Sequence, residues 1–211
     1  NHFLNQSNFQ YNLNFEVDGG LNNYTRLQYY LSGFKLYHDG GQITLLNNTY
    51  VLASGHITNY YLGNFNVSQL ESISFDVGVD QIANSGNTTN YPASHPLGPK
   101  SPPMDWGWPS GYFFVVTNGL NDADNDNIPE TPFQLHALGD QMLSPIDQIN
   151  LNPGGVSSTS KIFLFILSLN SPNISLFKAV SGRAILSAVV IFFLPTLLCN
   201  DFNNDDKPPL R

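Results

Sequence analysis

The chemically richest stretch of the chain is Met104 to Phe114, MDWGWPSGYFF. Both tryptophans, Trp106 and Trp108, lie inside it, fenced by Pro102, Pro103 and Pro109. Tryptophans used as core filler can sit on any strand, so their confinement here points to a rigid aromatic corner or a chemical site. The five histidines are His2, His38, His56, His95 and His136, with no HxH or HExxH pairing, so a metal site has to be assembled across strands. His95 lies in the proline-stiffened loop YPASHPLGPKSPP that leads to the tryptophans, and His136 alternates with Leu135 and Ala137 as on a strand. Neutral imidazole is the commonest side-chain ligand for copper and zinc. An antiparallel return from GYFFVVTNG brings His136 back beside residues 106–112. That geometry can gather the His95 and His136 imidazoles near the tryptophans as a candidate copper or zinc site, with Asp105 or His38 as further contributors. The alternative for each histidine is a backbone-bonded loop or strand residue.

A second constellation is DADNDNIPE, with Asp122, Asp124 and Asp126 at alternate positions and Glu130 beyond. Carboxylates at positions 1, 3 and 5 with a carbonyl at 7, here that of Ile128, are how a calcium loop gathers hard oxygen ligands. Asn127 stands where glycine is usual at position 6, and Phe133 replaces the bidentate acid at position 12. A solvated acidic hairpin is the other reading. No Ser-His-Asp, Cys-His or Gly-rich phosphate motif is present, and the expectation is a protein that is not an enzyme.

These residues have to be positioned by strands. Phe9 to Val17, FQYNLNFEV, alternates apolar and polar residues throughout, which predicts a half-buried strand with Phe9, Tyr11, Leu13, Phe15 and Val17 facing the core. RLQYYLSGFKLY runs into HDGG, where Asp39-Gly40 predicts a hairpin whose return strand is QITLLNNTYVL. Further strands are predicted at 72–79, 111–120 and 133–140, with Phe113 or Phe114 closing the core, and no helical period occurs before residue 140. The predicted fold is all-β, an antiparallel β-sandwich over residues 1–150.

The chain of 211 residues carries a net charge of −8, and only 11% of its residues are charged, against roughly 25% in typical soluble domains. Eight Lys and Arg residues are too few for a phosphate-binding surface, which excludes a nucleic-acid partner and favours cations. The lone Cys199 allows no intrachain disulfide. The sequence opens without methionine or an apolar leader, consistent with a removed signal peptide or a fragment. Residues 151–160 read as a linker and 161–211 as an apolar C-terminal segment, with Ala184 to Cys199 free of charge and interrupted by Pro195. Three readings of that segment stay open: a membrane anchor, extra strands, or read-through into a neighbouring frame.

RLQYYLSGFKLYHDG, SFDVGVD, MDWGWPSGYFFVVTNG and FQLHALGD, in that order and spacing, resemble the MbnP-like proteins, copper-binding proteins related to the MopE and CorA proteins of methane-oxidising bacteria. The likeness covers residues 8–142. It implies a periplasmic, secreted or outer-membrane-associated protein. It also implies that a tryptophan, Trp106 or Trp108, is oxidised to kynurenine by a partner di-haem MauG-like peroxidase and joins histidines in holding copper. The pattern departs at Asp105, where many relatives carry histidine or an aromatic residue. The competing reading is a calcium-stabilised surface β-sandwich for adhesion or glycan binding, with the tryptophans as a stacking platform.

Overall fold

The computed structural model describes residues 3–4, 7–17, 20–57, 59–107, 109–151, 156–157, 164–166 and 188–190. In chain order its elements are β1 (Phe3–Leu4), β2 (Ser7–Asn8), β3 (Asn14–Val17), β4 (Gly20–His38), β5 (Gln42–Leu45), β6 (Val51–Ser54), β7 (Gln69–Val77) and α1 (Gln81–Asn84). There follow β8 (Phe113–Asn121), β9 (Thr131–Leu138), β10 (Ser144–Asn150), β11 (Val156–Ser157), β12 (Leu164–Ile166) and β13 (Ala188–Val190). The expected all-β antiparallel fold is present: β3 to β11 form one nine-stranded sheet, antiparallel at every pairing. Most of the linker and of the C-terminal segment lies outside the described residues. None of the described helices is long and apolar enough to cross a membrane.

The long strand β4 organises everything else. Gln28 is paired both with Ser54 of β6 and with Val116 of β8, and Leu31 both with Val51 of β6 and with Val77 of β7. A strand residue has two edges, so β8 and β7 follow one another along the edge opposite β6. β9 continues the sheet beyond β8, and β10 and β11 continue it beyond β7. Within the β4–β7 pairing the ladder slips between Ser32 and Lys35, where Gly33 takes a left-handed φ of 62°; an extra residue of this kind bends and twists a strand. Tyr29, Leu31 and Phe34 of β4 share a buried cluster with Ile73 and Phe75 from one wing and Val115 and Ala137 from the other.

The period-2 alternation of β4 sends Tyr30 to the opposite face, where it meets Phe114 and Val116 of β8. That outer face is roofed by the excursion between β7 and β8, through Val79, Ala83, Leu97, Met104 and Tyr112. Burying Leu97, Met104 and Phe114 completely contributes on the order of 1.5–3 kcal/mol each. The roof is also hydrogen-bonded to the sheet. Tyr30 Oη donates to the Pro96 carbonyl at 3.1 Å, Tyr112 Oη donates to that of Leu97 at 2.7 Å, and Asn84 Oδ1 accepts the Tyr112 amide at 2.9 Å. Phe113 and Phe114 are both buried, as expected.

The predicted strand over 9–17 is shorter in the structure. Tyr11 and Asn12 form a turn, Asn12 has φ 62°, and the strand proper begins at Asn14. Phe9 and Phe15 still reach a small core of their own, stacked at 5.7 Å, while Leu13 is 47% exposed. Asparagine tolerates the left-handed region, and that local freedom overrides the alternation. The return of the 38–41 hairpin is likewise split into β5 and β6 around Asn48, which also has positive φ.

Candidate metal centre

Three rings converge where the roof meets the β8–β9 hairpin. β9 pairs with β8 so that His136 lies opposite Val116, on the outer face of the sheet. Asp105 bridges to Tyr112, Trp106 N–H donates to the Gly111 carbonyl at 3.1 Å, and the Phe113 N–H donates to the Met104 carbonyl at 2.9 Å. This tight return brings Trp106 over Phe113 at 5.3 Å, edge to face. The His136 imidazole stacks on Phe113 at 4.5 Å and meets the Trp106 indole edge to face at 6.0 Å. Trp106 remains 63% exposed. Among the described histidines His136 alone has neither ring nitrogen in a hydrogen bond. Burial and the neighbouring Arg26 guanidinium, in that order, hold its pKa below the usual imidazole value, so the ring is neutral and its lone pair is free near neutral pH.

Arg26 was not a candidate from the sequence, yet it fastens this corner. Its Nε donates to Gln28 Oε1 at 2.7 Å, and Nη2 donates to the Pro103 carbonyl at 2.8 Å and to Met104 Sδ at 3.1 Å. The loop leading to Trp106 is thus tied to β4. No sequence signal separates Arg26 from any other strand arginine. Phe113, the ring on which His136 stacks, was legible only as a core residue.

The other candidate ligands are engaged elsewhere. His95 Nδ1 accepts the Leu97 N–H at 3.1 Å, which places the proton of the neutral ring on Nε2 and leaves no free lone pair. Its ring stacks on Tyr91 at 4.6 Å, and burial and Lys100 lower its pKa. His38 is buried at the far end of β4, its Nδ1–H donating to Asp39 Oδ2 at 2.9 Å and its Nε2 accepting from Thr44 Oγ1 at 2.8 Å. Asp105 Oδ1 accepts the Gly107 N–H at 3.0 Å. Among the described residues, His95, His136 and Asp105 do not gather as a three-ligand set. Trp108 lies outside the described residues. Among the described residues this corner therefore offers one imidazole with a free ring nitrogen beside an exposed indole, a ligand type that suits first-row transition metals such as copper or zinc.

The acidic loop does gather. The carboxylates of Asp122, Asp124, Asp126 and Glu130 each bring an oxygen within 4.8 Å of the others. The loop joins β8 to β9, and Asp122, buried, shapes it by accepting the amides of Asp126 and Asn127, each at 3.0 Å. Asn125 and Asn127 both take positive φ. The Ile128 amide donates to Asp126 Oδ1, and the Ile128 side chain is exposed. Desolvation and then its three acidic neighbours raise the pKa of Glu130, the mark of carboxylates held close together.

This antiparallel β-protein belongs to the MbnP family, whose family model matches residues 1–173, well beyond the 8–142 legible from its motifs. Among solved structures, MbnP from Methylosinus trichosporium aligns with a TM-score of 0.36 and 18% identity, over 56% of this chain and 51% of that one. The chain therefore spans about half the length of that relative. No curated protein sequence is significantly similar to it.

Proposed function

We propose that this member of the MbnP family is a periplasmic or secreted copper-binding protein, not itself an enzyme, whose metal corner is built on His136 and Trp106. One observation carries the reading: a neutral, unbonded imidazole in ring contact with an exposed indole. His136 supplies a nitrogen ligand. Trp106, accessible from solvent, is the tryptophan that a partner haem peroxidase converts to kynurenine. Two equivalents of peroxide open the indole C2–C3 bond to give N-formylkynurenine and two waters, and hydrolysis of the formyl group then consumes one water and releases formate, leaving kynurenine. It replaces an indole N–H, which can only donate, by an aromatic amine and a ketone, whose lone pairs can face a metal. Copper supplies no catalytic step here; the chain's residues bind it.

Peptide mass spectrometry of protein produced with and without the partner peroxidase tests this reading. The kynurenine mass shift should appear at Trp106 only when the peroxidase is present. An unmodified Trp106 in copper-loaded native protein would contradict it.

A second cation belongs to the same proposal. The convergence of Asp122, Asp124, Asp126 and Glu130 supports calcium in the β8–β9 loop, with the Ile128 carbonyl as a further ligand and a structural role.

A further inference from the structure

The outer strands of the nine-stranded sheet are guarded against pairing with further strands, with one exception. β9 carries Pro132, β10 carries Pro145 and Asp147, β3 carries Glu16, and β11 is two residues long. On β6 the Ser54 N–H is taken by Tyr60 Oη at 2.6 Å. Proline and charge on an outer strand are the usual means of preventing edge-to-edge association. β5 has no such guard: it reads QITL and pairs, among the described residues, with β4 alone.

The groups on its free edge follow from the register. The Leu46 N–H donates to the Phe34 carbonyl at 2.9 Å, so Thr44 and Gln42, at alternate positions, also turn their main-chain groups to β4. Ile43 and Leu45 therefore turn their N–H and C=O away from it. Neither residue's main chain is hydrogen-bonded across that edge by a described residue. The side chains of the same two residues are each 56% exposed, whereas Thr44 between them turns inward, its Oγ1 2.8 Å from Nε2 of the buried His38. β5 thus shows water its two apolar side chains and buries its polar one.

Charge selects the occupant. The chain carries a net charge of −8, yet from Gly40 to Leu70 it contains no Asp, Glu, Lys or Arg. A charged partner finds no counter-charge on this stretch, whereas a second copy brings the same neutral edge and meets no repulsion there. The edge is also self-complementary. About a two-fold axis at Thr44, Ile43 faces Leu45 of the second copy and Leu45 faces its Ile43, each pair exchanging both main-chain hydrogen bonds. The cross-strand neighbours of Ile43 and Leu45 on β4 are Tyr37 and Lys35. Each side-chain row across the joined sheets then runs Tyr37, Ile43, Leu45, Lys35, and the two lysines never stand opposite one another.

We propose that β5 pairs antiparallel with β5 of a second copy of this chain, forming a reversible dimer with one continuous sheet. The proposal is independent of the copper reading and is tested on copper-free protein. An edge of 4 residues covers less than the roughly 1,200–2,000 Å² of a standard stable interface, so a concentration-dependent equilibrium is expected. Sedimentation velocity from micromolar to millimolar protein should show it. Mixed isotope-labelled and unlabelled copies should give intermolecular NOEs between the Ile43 and Leu45 methyl groups. Ile43→Pro removes an N–H that faces away from β4, a loss that symmetry counts twice, and should weaken dimerisation about tenfold or more with the circular dichroism unchanged. Leu45→Lys, at an exposed position, should weaken it as well by setting a charge on the edge. The proposal is overturned by a parent that stays monomeric at millimolar concentration, or by a dimer that both variants leave at parent strength. It is equally overturned by a monomer whose Ile43 and Leu45 amides resist hydrogen exchange, which would place another segment on the edge.

Discussion

The imidazole of His136 and the indole of Trp106 meet edge to face, with centroids 6.0 Å apart and planes at 70°. The β8–β9 hairpin delivers His136, a separate tight return from Asp105 to Tyr112 delivers Trp106, and Phe113 is shared by both. Because both elements are braced by the same strand, the contact is built into the fold.

Arg26 is the fastening between that return and β4, so Arg26→Met should loosen the corner. Losing the guanidinium bonds to Gln28 and Pro103 is expected to lower stability by about 1–2 kcal/mol in urea unfolding. A parent-like midpoint would show that the tie carries no weight.

Gly78 tests the join between sheet and roof. It has φ 124°, its N–H donates to the Tyr30 carbonyl at 2.9 Å, and a Cβ there would come within 2.5 Å of Phe114 Cδ2 and 2.9 Å of Leu143 Cδ1. Gly78→Ala combines backbone strain with overpacking, and a loss of about 2–4 kcal/mol is expected by chemical denaturation. A loss under about 0.5 kcal/mol, as for an ordinary surface change, would refute this placement.

Legibility from sequence followed the range of the interactions. The Asp39-Gly40 hairpin was legible because turn chemistry is local, and His136 returning beside Trp106 followed from antiparallel geometry. The strand over 9–17 was overextended because alternation cannot reveal that Asn12 takes a left-handed conformation. His95 looked equivalent to His136 in the sequence. What separates them is whether Nδ1 meets an amide two residues away, and that depends on loop conformation. Arg26 reaches the corner through cross-strand register and has no local sequence mark.

Calcium should act on the acidic loop. If Asp122, Asp124, Asp126 and Glu130 share an ion, millimolar calcium raises the melting temperature by mass action, and Asp124→Asn reduces the effect. The raised pKa of Glu130 adds a sign: without calcium, the contribution of its protonated form is present below the unfolded carboxyl value and is lost as pH rises through the folded one. The calcium increment should therefore be larger at neutral pH than at pH 4. An increment of zero at both would leave a plain solvated hairpin.

Asp39 gives the opposite pH signature. The His38 side chain first, then the Ser68 and Gln69 amides, lower its pKa. A depressed carboxyl contributes stability that is present above its unfolded value of about 3.9 and is lost as pH falls through the folded one. In acid titrations Asp39→Asn should flatten this part of the stability curve while leaving its neutral-pH shape unchanged. An unchanged acid limb would contradict the assignment.

The most direct test of the central claim is competitive Cu(I) titration of the parent, His136→Ala and His95→Ala proteins against a chromophoric chelator, with folding checked by circular dichroism. His136→Ala should remain folded and lose Cu(I) retention, whereas His95→Ala should keep it, because its ring is occupied by Leu97 and Tyr91. A His136→Ala protein that is folded and holds Cu(I) as tightly as the parent would show that copper does not bind at the His136–Trp106 corner.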